Sequence, residues 1–459
     1  MQTQKPKQFF PFLLLLMTTA ALLLHPAHAT SRPALTGDFH LLSGITLTSP
    51  HHLTPGVQRL TVNLDHRFDA GRFFVRSDIR NRFEASSDSL EWTLPEAWLE
   101  FYFESGDLRI GRQILKPGLS LIQSPLDRMQ PMDLRSFLLE PEDVLRRGTV
   151  ALEYSWYSGD SRIRIILTPV STRTLMPDPG SRWFFHLPVP AGIPFRIEKP
   201  DNRRRATHKP QAALLWNTTN PGRYELQAGL LYWTPSRPAY RKQVLFPDLE
   251  NPLQTPELLF TESYFSSWIL TGAISWEFSD AVTATAEAAW FHDRAFDRIP
   301  EALLLFDWDN PDLTRIPGII QILADEEDDF ISRHSVFETL LELRYSGSLL
   351  TLGAHWSTQI IQNPHPDVIQ DDIFHLLAAT ARRDFFRQRL ASGLTVAFQP
   401  NGNDYWIRTE HTYDLMDNVS LSAGAHFFGG PVPEPNYGHA SFGSYRSNSL
   451  VHAGIRYFF

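Results

Sequence analysis

Over most of this chain apolar and polar residues alternate with a period of two, in runs of about ten residues. Val282, Ala284, Ala286, Ala288 and Trp290 take turns with Thr283, Thr285, Glu287 and Ala289. Trp268, Leu270, Gly272, Ile274, Trp276 and Phe278 oppose Thr271, Ser275 and Glu277, and Phe337, Leu341, Leu343 and Tyr345 oppose Glu338, Glu342 and Arg344. Leu60, Val62 and Leu64 alternate with Thr61, Asn63 and Asp65. The last stretch, Ser449–Phe459, puts Val451, Ala453, Ile455, Tyr457 and Phe459 on one face and His452, Gly454 and Arg456 on the other. This is the period of an extended strand, whose successive side chains point to opposite faces.

Short turns carrying Gly, Asn, Asp and Ser separate many of these runs: Phe68–Gly71, Glu104–Gly106, Ser158–Asp160, Asn220–Gly222, Ser279–Ala281, Ser346–Ser348, Asp384–Phe386 and Met416–Asn418. These are hairpin residues. Between them lie longer connections: Ser49–Gly56, Ala85–Glu91, Leu115–Arg147, Pro169–Lys209, Thr234–Thr261, His292–Arg333, Ile361–Asp372 and Gly429–Arg446. Pro400–Asn403 is short where a long one is due.

Short and long connections alternate in this way in an all-β, up-and-down antiparallel barrel that crosses a membrane. The count comes to about eighteen strands, with sixteen as the rival. An even count places both termini on the short-turn side and pairs the last strand with the first, near Asp38–Leu47. Trp92, Tyr102, Trp156, Trp233, Trp268, Trp290, Tyr345, Trp356, Trp406 and Tyr457 stand at strand ends, as the aromatic girdles of such a barrel would.

Composition sharpens this picture at two points. With no cysteine among 459 residues, disulfides, thiolate metal sites and cysteine nucleophiles are excluded. A net charge of −9 argues against a nucleic-acid partner. At the N-terminus, Lys5 and Lys7 precede the apolar run Phe9–Leu24 and the small-x-small triplet Ala27-His28-Ala29. Residues 1–29 therefore read as an export signal and 30–459 as a single barrel domain. Beyond Thr30 no apolar run is long enough for a membrane-spanning helix.

The connection 115–147 is the most informative. It mixes Leu119, Leu121, Ile122, Met129, Met132, Phe137 and Leu138 with charges: Lys116, Asp127, Arg128, Asp133, Arg135, Glu140, Glu142, Asp143, Arg146 and Arg147, following Arg112. An external loop has little use for so many apolar groups. Folded into the lumen it would bury them and narrow the pore, its charges acting as an electrostatic filter. By alternation the facing wall would carry Glu100, Arg109, Gln113, Arg162, Arg164, Glu225, Glu277, Glu287, Glu338, Glu342 and Arg344.

The runs Leu108–Gln113, Asp133–Leu139 and Glu142–Arg147, the hairpin at Ser158–Asp160 and Pro169 resemble Gram-negative porin-like outer-membrane barrels, a group loosely similar to alginate-export-type channels. The resemblance covers residues 100–185 best; Lys116-Pro117-Gly118 departs from the Trp-Gly expected after Gly-Arg-Gln. It implies an outer-membrane location among lipid and lipopolysaccharide, and a channel whose cargo it leaves unassigned; a small polar solute is what the charged connection and wall lead us to expect. The resemblance further implies recognition of the terminal Phe459 by the assembly machinery, and a homotrimer, which no patch in the sequence specifies.

Other clusters give weaker signals. Asp307, Asp309, Asp312 and Asp325–Asp329 form an acidic loop whose oxygens suit a divalent cation, but they lack the spacing of a calcium loop and read first as a solvated tip. Arg203–Arg205 could contact phosphate. His439 and Ser441 lie two apart on one face, as in a barrel phospholipase, yet the Asn-Gly expected after the serine is Phe442-Gly443. No histidine pattern has metal-ligand spacing, and no cofactor is expected. A barrel plugged by its loops and serving an export or surface-assembly system is the alternative to an open channel.

Overall fold

The computed structural model describes residues 32–48, 53–82, 89–120, 124–126, 130–136, 140, 142–179, 181–184, 194–198, 209–245, 257–300, 314, 318, 330–432 and 441–459. Eighteen strands close on themselves. The first third is Ala34–Thr46, Leu53–Phe68, Gly71–Arg82, Ser89–Phe103, Gly106–Gln113 and Thr149–Ser158. Ser161–Thr168, Gln211–Asn220, Tyr224–Trp233, Ser267–Ser279, Val282–Asp297 and Ile331–Ser346 follow. Leu350–Ile361, Ile373–Phe385, Leu390–Gln399, Asp404–Met416, Val419–Gly429 and Leu450–Phe458 complete the wall.

Each strand pairs antiparallel with the next in the barrel, and the last returns to the first from Asp38 against Phe458 to Thr46 against Leu450. Gly37 and Phe459 exchange both backbone hydrogen bonds, at 2.8 and 3.0 Å, so the terminal residue is part of the seam. Closure leaves no edge, and hence no row of unpaired N–H and C=O groups. Among the described residues no helix is long and apolar enough to cross a membrane.

Burial runs opposite to that of a globular protein. Leu270, Leu341 and Leu343 are 57%, 51% and 52% exposed, while Glu287, Glu338 and Glu342 in the same ladders are 4%, 3% and 6% exposed. Apolar side chains point outward and carboxylates inward, so the exterior is a continuous apolar belt that water would not stabilise. Trp268, Trp290, Tyr345, Trp356 and Tyr457 lie exposed on that belt, as the girdle expectation requires. Trp233 and Trp406 do not. Tyr232 takes the outward position beside Trp268, and Trp233 turns into the interior at 3% exposure. Tyr405 is the exposed neighbour of Trp406, whose ring stacks inside on His426 and Phe428. With two aromatics in succession, alternation sends only one of them outward.

Two further differences concern the interior and the connections. The inward row is not polar throughout: Ile166, Leu215, Leu231, Trp233, Ile269, Phe291 and Val336 form one buried cluster with Leu115 and Leu126 of the connection 115–147. The connections 169–209 and 234–261 are also not bare loops. Ala239–Leu245 pairs antiparallel with Glu257–Ser263, which pairs parallel with Phe195–Glu198, forming a small sheet outside the wall.

Candidate functional site

The strand Gly106–Gln113 delivers the chain into the connection 115–147. Gly111 there has φ +134°, and a Cβ would meet the Ala97 carbonyl at 2.3 Å and Trp98 Cα at 2.7 Å, so only glycine allows this approach to Ser89–Phe103. Beyond it, Leu115 and Leu126 pack onto the apolar part of the interior wall, leaving a cavity of only ≈ 10 Å³ beside Pro117 and Gln130. Leu115 and Leu126 thus meet an apolar wall, and each Å² of apolar surface removed from water contributes about 25 cal/mol; Leu121, Ile122, Met129, Phe137 and Leu138 lie outside the described residues.

Wall carboxylates hold the first half of the connection. Glu287 accepts the backbone N–H of Leu119 at 2.6 Å and of Ser120 at 2.5 Å, and its second oxygen accepts the Ser124 hydroxyl. Glu342 accepts from Ser120 Oγ at 2.5 Å, and Gln227 donates to the Pro117 carbonyl at 2.5 Å. Carboxylates accept only, and here each faces donors.

The second half is held by ion pairs. Glu140 lies 2.9 Å from Arg59 and 3.6 Å from Arg80, with its own side chain sealed from solvent. Arg80 also meets Asp78 at 3.2 Å, Asp133 at 3.8 Å and the Val144 carbonyl at 2.9 Å. Arg135 bridges Asp133 and Glu91, both at 2.8 Å. Burial works against the Arg135 charge, but these two carboxylates outweigh it and hold the guanidinium above its ordinary pKa. Arg147 donates to the Arg173 carbonyl at 2.6 Å; there burial prevails and its pKa is lowered. Counted around the wall of eighteen strands, the Glu287 strand lies nine places on from the Arg59 strand, and the Glu342 strand nine places on from the Arg80 strand, halfway round in each case. The connection is therefore fastened at opposite sides of the barrel.

Of the other constriction candidates, Lys116 and Asp143 are exposed, Arg112 and Arg146 are half-buried, and Arg146 bridges backbone to backbone with Met132. Asp127 and Arg128 lie outside the described residues, and Glu142 opens the short helix Glu142–Leu145. All eleven wall candidates sit on inward rows. Arg109 pairs with Glu100 at 2.5 Å, Arg164 with Glu153 at 2.7 Å and Arg162 with Glu153 at 3.6 Å. Glu338 pairs with Arg294 at 2.7 Å and Gln113 is fully buried, whereas Glu277 is exposed near a short turn and Glu225 and Arg344 are half-buried. These pairs knit neighbouring strands, as buried charges in a low-dielectric wall must.

Sequence reasoning missed Arg59, Arg80, Asp78, Glu91, Glu153 and Gln227. Arg59 stands on the row of Thr61 and Asn63, so alternation carried two residues further would have found it.

Ser441, 2% exposed, donates to Asp404 and caps the short helix Phe442–Asn448, which engages its hydroxyl in structure; His439 lies outside the described residues. Asp307, Asp309, Asp312, Asp325–Asp329 and Arg203–Arg205 also lie outside them. Burial raises the phenol of Tyr445, packed on Trp183 and Phe428, to about 12.

No protein-family model matches the chain, and no curated protein sequence does. Solved structures similar in fold include OccK10 of Pseudomonas aeruginosa, at 10% identity over 94% of this chain and 99% of that one, TM-score 0.49. OccAB1 of Acinetobacter baumannii matches at 8% identity over 93% and 95%, TM-score 0.49. OmpF of Salmonella typhi, determined in complex with daunomycin, matches at 9% identity over 93% and 97%, TM-score 0.43.

Proposed function

We propose that the chain is an outer-membrane channel that passes small polar solutes, with its lumen narrowed by the connection 115–147. One observation carries the reading: a closed barrel with an apolar exterior holds one connection at both sides of its interior, through Glu287 and Glu342 on one side and Arg59 and Arg80 on the other. The apolar belt suits hydrocarbon, and the inward charges suit water and solute.

The packed cluster around Leu231, Trp233 and Phe291 closes one side of the interior, so passage runs along the rest of the wall. There Ala378, Thr380, Gly393 and Thr395 are half-exposed on inward rows. Selection would rest on size and on the charges beside the connection. Export by a signal in residues 1–29, insertion read from Phe459, and assembly as a homotrimer belong to the same reading.

The test is single-channel current of the refolded protein in a planar bilayer, with and without residues 116–146. A barrel that conducts in neither form would make the plugged scaffold the better account.

A further inference from the structure

The connection 169–209 leaves the seventh strand of the wall, Ser161–Thr168, yet its described residues reach the ends of the seventeenth and eighteenth, Val419–Gly429 and Leu450–Phe458. By the shorter way round the ring of eighteen, the seventeenth strand stands eight places from the seventh. On the way the chain is tied to the connection 115–147. Leu175 bridges parallel to Asp133, its N–H donating to the Met132 carbonyl and its carbonyl accepting from the Leu134 N–H, both at 2.8 Å. The Thr174 N–H donates to the Ser236 carbonyl at 2.9 Å, and the Thr174 hydroxyl accepts from the Met132 N–H at 3.2 Å. Asp133 lies inside the wall, 3.8 Å from Arg80, so this segment passes over the interior.

Eight residues further on, Trp183 is buried, its ring 6.2 Å from those of Phe428 and Tyr445 and in one cluster with Leu450. Beside it the Asn448 side-chain amide donates to the Arg182 carbonyl at 2.6 Å, and the Arg182 guanidinium donates back to Asn448 Oδ1 at 3.3 Å. The two anchorages differ in kind. Thr174 and Leu175 are fixed through their backbone on both edges. Around Trp183 the chain bonds to itself, Ser181 N–H to the Asp178 carbonyl and Phe184 N–H to the Ser181 carbonyl. It meets the far wall through the indole and the Asn448 amide, side-chain contacts that can part together without breaking a strand ladder. Pro177 and Pro179, with φ fixed, stiffen the link between the anchorages.

We propose that residues 171–179 and 181–184 form a strap across the long-connection mouth, fixed at Thr174 and Leu175 and closed by a releasable bolt, Trp183, in the socket of Phe428, Tyr445 and Leu450. The inference rests on the channel reading above. Bolted, the strap covers part of the entrance; released, it swings on its fixed end and leaves the connection 115–147 as the remaining constriction. The two closures stand in series.

The chain has no cysteine, so Arg182→Cys with Asn448→Cys introduces a single pair that can be joined and released at will. Hydrogen exchange of the whole barrel in detergent micelles is read by mass spectrometry, and single-channel current in a planar bilayer. In the wild type the amides of 182–184 should exchange roughly tenfold or more faster than those of Thr174 and Leu175, as a locally opening segment does. The disulfide should abolish that difference and lower the current on the order of twofold, with a reductant restoring both. Trp183→Ala should speed the exchange of 182–184 and raise the current; if it does not fold, Asn448→Ala, which removes the tie to the Arg182 carbonyl, takes its place with the same expectation. Equal exchange at the two anchorages in the wild type makes the strap a fixed strut and overturns the proposal. So does a disulfide that fails to form, or one that forms and leaves the current unchanged. A barrel that conducts in no form but shows this exchange pattern counts against the channel reading and for the strap, so the two failures are read separately.

Discussion

Glu140 lies 2.9 Å from Arg59 across 81 residues of chain, and both side chains are almost wholly sealed from solvent. The pair belongs to a longer run. Arg456 meets Asp38 at 2.9 Å across the closing seam, Asp38 approaches Arg59 at 3.7 Å, and Glu140 leads on through Arg80 and Asp133 to Arg135 and Glu91. Buried pairs add little net stability, but breaking one leaves an uncompensated charge and costs about 3–5 kcal/mol. Glu140→Gln is therefore expected to leave the barrel folded on its strand ladders while loosening residues 130–147. Limited proteolysis should show new cleavage there, and single-channel current should rise. An unchanged cleavage pattern with unchanged current would contradict the latch.

Glu287 is the corresponding hold on the opposite wall. Glu287→Ala orphans the Leu119 and Ser120 amides and the Ser124 hydroxyl, at about 1–3 kcal/mol for each group left buried. Current should increase in this variant as well. Since both anchors act on one connection, the double variant with Glu140→Gln should exceed the sum of the single effects, the mark of coupled sites. Strict additivity in current and in unfolding midpoint would show that the two anchors hold independent segments.

Much of this was legible in the sequence because a barrel writes its geometry into a two-residue period. The turns at Ser279–Ala281 and Ser346–Ser348 lie where the hairpins close, the last strand pairs with the first, and Glu287 and Glu342 face inward as their rows require. Legibility failed where both faces are apolar. Ile269, Phe291 and Val336 point inward among outward Trp268, Trp290 and Phe337, and alternation has no contrast there. It failed too where pairing is non-local, as in the parallel match of Phe195–Glu198 to Glu257–Ser263. The ion pairs of Arg59 and Arg80 join residues far apart in the chain, which no local pattern records.

Trp233 and Trp268 test the corrected orientation of the aromatics. Trp233, 3% exposed within the interior cluster, should cost about 3–5 kcal/mol when changed to alanine, through lost packing and the cavity left behind. Trp268, 50% exposed on the belt, should cost far less in detergent and show its main effect on insertion into bilayers. Urea unfolding in micelles and folding rates into vesicles separate the two. A larger unfolding penalty for Trp268→Ala would mean that the rows are assigned the wrong way round.

Gly393 tests the proposed path along the wall opposite the packed cluster. It sits on an inward row between Arg382 and Glu410 of the adjacent strands, and a Cβ there meets nothing nearer than the Glu410 carbonyl at 3.7 Å. A large side chain fits without straining the wall and projects into the lumen. Gly393→Trp should leave the unfolding midpoint within about 0.5 kcal/mol of the parent, as a substitution that removes no packing or hydrogen bond does. Its current should fall on the order of twofold, because a bulky ring narrows an aqueous passage without changing its charge. The contrast is with Thr149, which borders the packed cavity beside Leu115 and Ile166 and is 2% exposed. Thr149→Trp should destabilise the barrel by overpacking and change current little through the pore itself. If Gly393→Trp conducts like the parent, solute does not pass this wall.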